Sequence, residues 1–234
     1  MKKNLKIWEW LCSLIPRKID NRTVLHFFEF LRNFQKLLRR SYKMNLALNV
    51  ASFENHLHTI DKNNGFVEDQ HNYQDMKYGK ATMYGCGCEI FAVYNTFRSL
   101  FGVQRISLPE MIAHFEKDGM VLSGKFGTSP RALCDYMESQ GLHTILTTKE
   151  NEYDLLAEKY NSFILTMYND KNDIRSEVHT VNISKENGIF TAHNVYCNGF
   201  AVGPYPSIRE LISHINSGKA KGISLIGITQ DDLV

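Results

Sequence analysis

Between residues 23 and 40 the apolar positions Val24, Phe27, Phe28, Leu31, Phe34, Leu37 and Leu38 return at helical spacing, with Arg32, Lys36, Arg39 and Arg40 elsewhere on the wheel. This predicts an amphipathic basic helix. The polar stretch 49–80, which contains Asn63-Asn64-Gly65, reads as a linker or an irregular approach to a core. The pattern then changes abruptly. Ile90, Phe91, Ala92, Val93, Tyr94 and Phe97 are apolar on nearly every side, as in a helix at the centre of a domain, and this helix is expected to run from Cys86 to about Leu100 and stop at Gly102. Ser107-Leu108-Pro109-Glu110 is a capping box with an early proline and predicts a helix over 108–117. Ser129-Pro130 opens another, ending at Gly141.

Beyond residue 142 strand patterns take over. Residues 143–148 and 162–168 read as strands around a helix at about 152–160, and 178–184 and 189–196 as two strands joined by Lys185-Glu186-Asn187-Gly188. A second capping box, Ser207-Ile208-Arg209-Glu210, opens a helix ending near Gly218, and 222–229 closes the chain as a buried strand. Helices first and antiparallel strands afterwards define an α+β domain, not a doubly wound sheet. The sequence holds no internal repeat, low-complexity tract or phosphate-binding glycine loop.

Composition changes this picture in two respects. With 43% hydrophobic residues among 234, the chain has the material for one large core and does not read as disordered. Five cysteines, Cys12, Cys86, Cys88, Cys134 and Cys197, show no disulfide rhythm, which favours a reducing, cytoplasmic setting. Glu9 interrupts the short apolar run within 2–16 and no small-residue cleavage site follows, so this run does not read as a signal peptide; no stretch has the length of a membrane span. Charge is unevenly placed: residues 1–43 carry eleven Lys or Arg against three acids, a net +8, leaving −6 on the rest. We therefore divide the chain into a basic helical extension and linker, 1–77, and a main domain, 78–234. The basic helix is expected to pack on the main domain, to lie over a cleft, or to dock on a membrane surface or an acidic partner. Nucleic acid is disfavoured, because the basic residues thread an aromatic helix without a readout motif.

Candidate chemistry centres on Met83-Tyr84-Gly85-Cys86-Gly87-Cys88. A cysteine behind a glycine turn and ahead of a buried helix sits where the helix dipole and free backbone N–H groups favour a thiolate. Cys86 therefore reads as a nucleophile. It needs a base, and the base needs a group that fixes its tautomer. The hairpin supplies both. A loop centred between Glu186 and Asn187 sets His179 opposite Asn194, while a turn at Asn187-Gly188 makes them diagonal neighbours on one face; His193 points to the other side in either case. Cys88 is the alternative nucleophile, but it lies deeper in the first helical turn. A metal site from Cys86, Cys88, His179 and His193 is disfavoured, since C-x-C lacks the usual spacing and no second cysteine pair exists. No cofactor is expected. Cys12, Cys134 and Cys197 read as packing or surface thiols.

Gly85-Cys86-Gly87 leading into an apolar helix, then Val178-His179-Thr180-Val181 on one strand and His193-Asn194-Val195 on the next, resembles the papain-like cysteine peptidases, and more closely the bacterial branch that includes the double-glycine leader peptidases. The resemblance covers about residues 78–230. It implies a papain-like α+β fold with a central buried helix carrying the nucleophile at its N-terminus, packed on an antiparallel sheet. It further implies attack by Cys86 on a peptide or amide carbonyl, with His179 as base and then acid, Asn194 as orienter, and water releasing an acyl-enzyme. An acyltransferase and a catalytically silent binding domain are the alternatives on the same fold. Two positions depart from the family. Lys80 stands about six residues before Cys86, where relatives place an oxyanion-hole glutamine, the nearest upstream glutamine being Gln74; and Cys88 stands where relatives carry proline or a small residue.

Overall fold

A computed structural model describes residues 20–37, 42–172, 177–195 and 199–230. The 2–16 run, Cys12, Leu38, Arg39, Arg40 and Cys197 lie outside the described residues. The chain opens with α1 (Asn21–Leu37), α2 (Lys43–Phe53) and α3 (Leu57–Lys62). A single 3-10 turn over Gln70–Asn72 and the two-residue strands β1 (Lys77–Tyr78) and β2 (Ala81–Thr82) follow. Then come α4 (Met83–Cys86), α5 (Cys88–Phe101), α6 (Leu108–Lys117) and α7 (Pro130–Ser139). The remainder is β3 (His143–Thr147), α8 (Tyr153–Lys159), β4 (Ser162–Tyr168), β5 (Val178–Glu186), β6 (Ile189–His193), β7 (Val202–Tyr205), α9 (Ile208–His214) and β8 (Lys221–Thr229).

The local signals act as their chemistry requires. Ser107 and Glu110 close a reciprocal capping box on α6, with Pro109 in its first turn, and Gly102 ends α5 with φ 70°. Ser207 Oγ accepts from the Glu210 N–H at the start of α9. Asn187 and Gly188, with φ 51° and 77°, form the two-residue turn between β5 and β6, which pairs Glu186 with Ile189 and selects the second of the two registers.

Of the two readings of 49–80, the linker is overturned, and the segment runs into the core. Its residues Ile60, Val67, Tyr73, Met76 and Tyr78 are buried in the same cluster as Ile90, Phe91 and Phe97 of α5, so residues on both sides of position 77 share one core. The apolar residues there are few and set among polar ones. No short window shows their period, and only tertiary packing buries them.

The fold is a mixed α+β arrangement around a six-stranded antiparallel sheet of order β3-β8-β4-β5-β6-β7, beside the small β1-β2 pair. Ile164, Ile226 and Ile228 of the sheet join the helical core around α5, α6 and α7. Phe163, Leu165, Val181, Ile183 and Leu225 join a second core with α8 and α9. Strand alternation thus gives the sheet two apolar faces. One buried amide joins α5 to the sheet: Asn182 Nδ2 donates to Thr96 Oγ1 (3.0 Å), Ser162 Oγ (2.9 Å) and the Phe163 carbonyl (3.2 Å). Replacing Asn182 by Ala strands those acceptors, an expected loss of about 2 kcal/mol. Thermal unfolding followed by circular dichroism should then show a midpoint lowered by roughly 4–8 °C; an unchanged midpoint would show that the amide is dispensable.

Candidate active site

The break before the central helix decides where Cys86 stands. α5 begins at Cys88, not at Cys86; Cys86 is the last residue of the short α4, and Gly87 lies between them with φ −103° and ψ 2°. A Cβ at Gly87 would come within 2.6 Å of Met83 Cε and 2.7 Å of the Met83 carbonyl, so the bend that turns Cys86 out of the helix requires glycine. Cys86 is half-buried and Cys88 is buried, and both are free thiols, as is Cys134. The Cys86 Sγ–H donates to the Lys125 carbonyl at 3.5 Å, and the Gly127 N–H reaches Sγ from the same loop. Cys88 donates instead to Glu89 Oε2 at 3.3 Å. This ties the second thiol to a buried carboxyl, whereas the Cys86 thiol meets backbone groups of the 125–127 loop.

The two hairpin residues meet, but not as expected. β6 ends at His193, and Asn194 turns into the left-handed region with φ 65°. Its backbone carbonyl, not its side chain, lies 2.6 Å from His179 Nε2. A carbonyl only accepts, so Nε2 carries the proton and Nδ1 is the nitrogen with a lone pair. The Asn194 amide turns to Gln70: Oδ1 accepts from the Gln70 N–H at 2.9 Å and Nδ2 donates to Gln70 Oε1 at 3.0 Å. Gln70 Nε2 in turn donates to the Tyr84 carbonyl at 2.8 Å, two residues before Cys86. One glutamine thus links the cysteine turn to the histidine turn.

Sequence reading missed Gln70. It is buried, whereas Lys80 and Gln74 are exposed. Nothing in the string His71-Asn72-Tyr73-Gln74 around it separates a buried amide from an ordinary polar turn; the only signal is that Val67 and Tyr73 bracket it with buried apolar residues. His193, as expected, is not beside His179: it pairs with Glu68 and Ser184. Among the described residues no group of three His, Cys, Asp or Glu side chains is placed to hold a metal. No described helix is long and apolar enough to cross a membrane.

Burial sets the electrostatics. It pushes the Cys86 thiol up to about 11, with a further push from Glu89 and a partial offset from the Gly127 N–H. Burial likewise lowers His179 to about 4, against the upward pull of the Asn194 carbonyl, and raises Glu89 to about 7. Cys88 is pushed well above the ordinary thiol range by burial and by Glu89. At rest Cys86 is a thiol and His179 a neutral imidazole, in place of the thiolate expected from the helix dipole. Desolvation outweighs the dipole here because α5 starts two residues later, behind Gly87.

α1 crosses the junction between the sheet and the helices. Asn21 Nδ2 donates to the Thr148 and Gly222 carbonyls on the sheet side. On the helical side the buried Arg32 binds Asp118 (2.9 Å) and Asp135 (2.7 Å), Gln35 accepts from the Ser123 N–H, and Glu29 accepts from Ser129 Oγ. Between these anchors Val24, Leu25 and Phe28 line a small cavity together with Glu89, Thr128, Thr166 and Val178; neither Cys86 nor His179 lines it. The basic residues of this helix are not all turned to solvent: Arg32 is buried, while the apolar Phe27, Phe30 and Phe34 face outward.

No protein-family model matches the chain, and no curated protein matches it.

Site-resolved alkylation with iodoacetamide checks the resting state. Cys86 should react more than about tenfold slower at neutral pH than a free cysteine, its rate climbing only as pH approaches its raised value, and Cys88 should be slower still. Fast alkylation of Cys86 at pH 7 would contradict the buried neutral thiol.

Proposed function

We propose that this chain is a papain-like thiol hydrolase acting on a peptide or amide, with Cys86 as nucleophile, His179 as base and Asn194 as orienter. The observation that carries the reading is the fixed imidazole: Nε2 is committed to the Asn194 carbonyl at 2.6 Å, which presents Nδ1 as the proton acceptor, on a strand packed against the helix that follows Cys86. Because thiol and imidazole are neutral at rest, His179 takes the thiol proton as Cys86 attacks the carbonyl, returns it to the leaving amine, and then activates the water that cleaves the thioester. The Gly127 N–H beside Sγ is a donor on the nucleophile's side of the site. Gln70, joined to both the Tyr84 and Asn194 turns, keeps the two halves in register.

p-Nitrophenyl acetate tests the chemistry without knowledge of the natural substrate. It should acetylate Cys86, identified by peptide mass spectrometry, and release p-nitrophenolate catalytically; Cys86→Ala should abolish the reaction and His179→Ala reduce it by about 10²-fold or more. The rate should be level through the neutral range and fall as pH drops through about 4, where His179 takes its proton. The raised thiol also favours a second reading, a catalytically silent papain-like binding domain, and absence of acetylation at Cys86 would select it. Transfer of the acetyl group to an added amine in preference to water would identify an acyltransferase.

In this reading α1 covers the side of the site formed by Glu89 and Thr128, held chiefly by Arg32. Burial alone would raise Asp118, yet hydrogen bonds from Lys36 and Arg32 bring it below the usual carboxylate range. Its hold on α1 is therefore complete above the ordinary carboxylate value of about 3.9 and is lost as pH falls through the lowered one. Arg32→Ala should loosen α1 at neutral pH and speed Cys86 alkylation several-fold in the full-length protein. An unchanged rate in a folded variant would show that α1 does not control access.

A further inference from the structure

A second histidine stands behind the candidate base, in a polar network that the proposed chemistry does not use. His193 Nδ1 lies 2.6 Å from Glu68 Oε1 and its Nε2 lies 2.9 Å from Ser184 Oγ, and both the histidine and the carboxylate are buried, each with 7% side-chain exposure. Phe66 stacks flat on the imidazole at 3.8 Å and 2°. The ring is thus held at both nitrogens and on one face. Three residues in a Ser-His-acid order invite a catalytic reading, but Ser184 is itself buried on β5 and also within 3.4 Å of the Thr191 carbonyl. The network's free end points elsewhere. Glu68 Oε2 accepts from the backbone N–H of Asn194 at 3.1 Å.

That N–H belongs to the residue whose carbonyl fixes His179. Asn194 is in the left-handed region, φ 65°, which asparagine takes more readily than other non-glycine residues, and its backbone and side chain are both engaged there. Glu68 determines the N–H end of this residue and Gln70 its side chain, and Val67, next to Glu68, is itself pinned to α5 by two bonds with Asn95, each 2.8 Å. We infer that Glu68, oriented by His193, is a positioning residue that holds the Asn194 turn and through its carbonyl fixes the tautomer and direction of the His179 imidazole. This rests on the reading of His179 as the base. The network assigns separate duties to adjacent residues: His193 orients the carboxylate, and Asn194 delivers the carbonyl.

Glu68→Gln is the discriminating variant. A glutamine offers one acceptor and one donor, so it cannot receive both the His193 Nδ1–H and the Asn194 N–H, and one donor meets another. His193→Gln removes the group that orients the carboxylate, and Ser184→Ala leaves both Glu68 bonds in place. Two measurements are made on full-length protein. Nitrogen-15 NMR of the histidine rings reads the His179 tautomer, and p-nitrophenyl acetate turnover reads catalysis. In the wild type His179 should be held as the Nε2–H tautomer. In Glu68→Gln and His193→Gln it should become a mixture of tautomers, with kcat lowered about tenfold to a hundredfold and KM within about twofold; Ser184→Ala should resemble the wild type in both measurements. Folded Glu68→Gln and His193→Gln proteins that keep the wild-type tautomer would overturn the inference whatever their turnover. Loss of the tautomer in these variants, with no acetylation of Cys86 even in the wild type, would uphold the positioning role and defeat the hydrolase reading.

Discussion

A helix apolar on every side must be covered on every side, and α5 sets this requirement for the whole chain. Ile90, Phe91, Ala92 and Val93 are each fully buried, so α6, α7, the segment from α3 to β1 and the sheet all pack around it. Such a helix leaves few ways to satisfy the polar groups it also buries, and each of those groups pins one surrounding element. Asn95 holds Val67 at both its N–H and its carbonyl. Thr96 receives Asn182 from β5, and Glu89 meets the backbone N–H of Thr128. The three segments pinned in this way carry Glu68 and Gln70, His179, and the loop beside Cys86. The site is assembled from the partners that the central helix needs, because an unpaired buried polar group costs more than most packing contacts return.

The same burial sets the charge states of these groups. Taking Cys86 and His179 out of water disfavours thiolate and imidazolium alike, so both groups rest uncharged. Neutral partners with a fixed tautomer suit a base that takes the proton only as attack proceeds. Glu89 sharpens the effect. Its carboxyl lies close enough to Gly127 that a Cβ there would come within 2.5 Å of Oε1, and any negative charge it carries raises the neighbouring thiols further. The small residue at 127 lets the carboxyl fill the space beneath the loop that meets Cys86.

The strongest local signals were legible in the sequence. The apolar run of α5, the Ser107 and Ser207 caps, the Asn187-Gly188 turn and the strand patterns of β3, β4, β5 and β8 need only neighbours along the chain. Other features were not legible, each for a different reason. The approach segment 49–80 looked like a linker because Ile60, Val67 and Met76 are buried by distant partners, without local period. The left-handed turn at Asn194 ends β6 before the residue that was expected to stand beside His179 on the sheet; alternation predicts a side chain there, and φ 65° presents a carbonyl instead. The raised thiol could not be read because desolvation depends on how Gly87 bends the chain.

α1 shows the limit of hydrophobic pattern most clearly, and its docking face follows from what it has to meet. The surface beneath it presents Asp118, Asp135, the Ser123 N–H and Ser129 Oγ, and a face of leucine and phenylalanine laid over these groups would strand them. Arg32, with five donors in a fixed fork, answers two carboxylates at once, while Gln35 and Glu29 take the two remaining donors. Helical geometry then fixes everything else: residues 24, 25, 28, 32 and 35 share the inner face, and Phe27, Phe30 and Phe34 are left outside. Attachment through such groups differs in kind from the packing of α5, since water can replace most of these bonds when the helix lifts away. α1 is thus held across its inner face largely by polar contacts, whereas the helix that follows Cys86 is buried in the core on nearly every side.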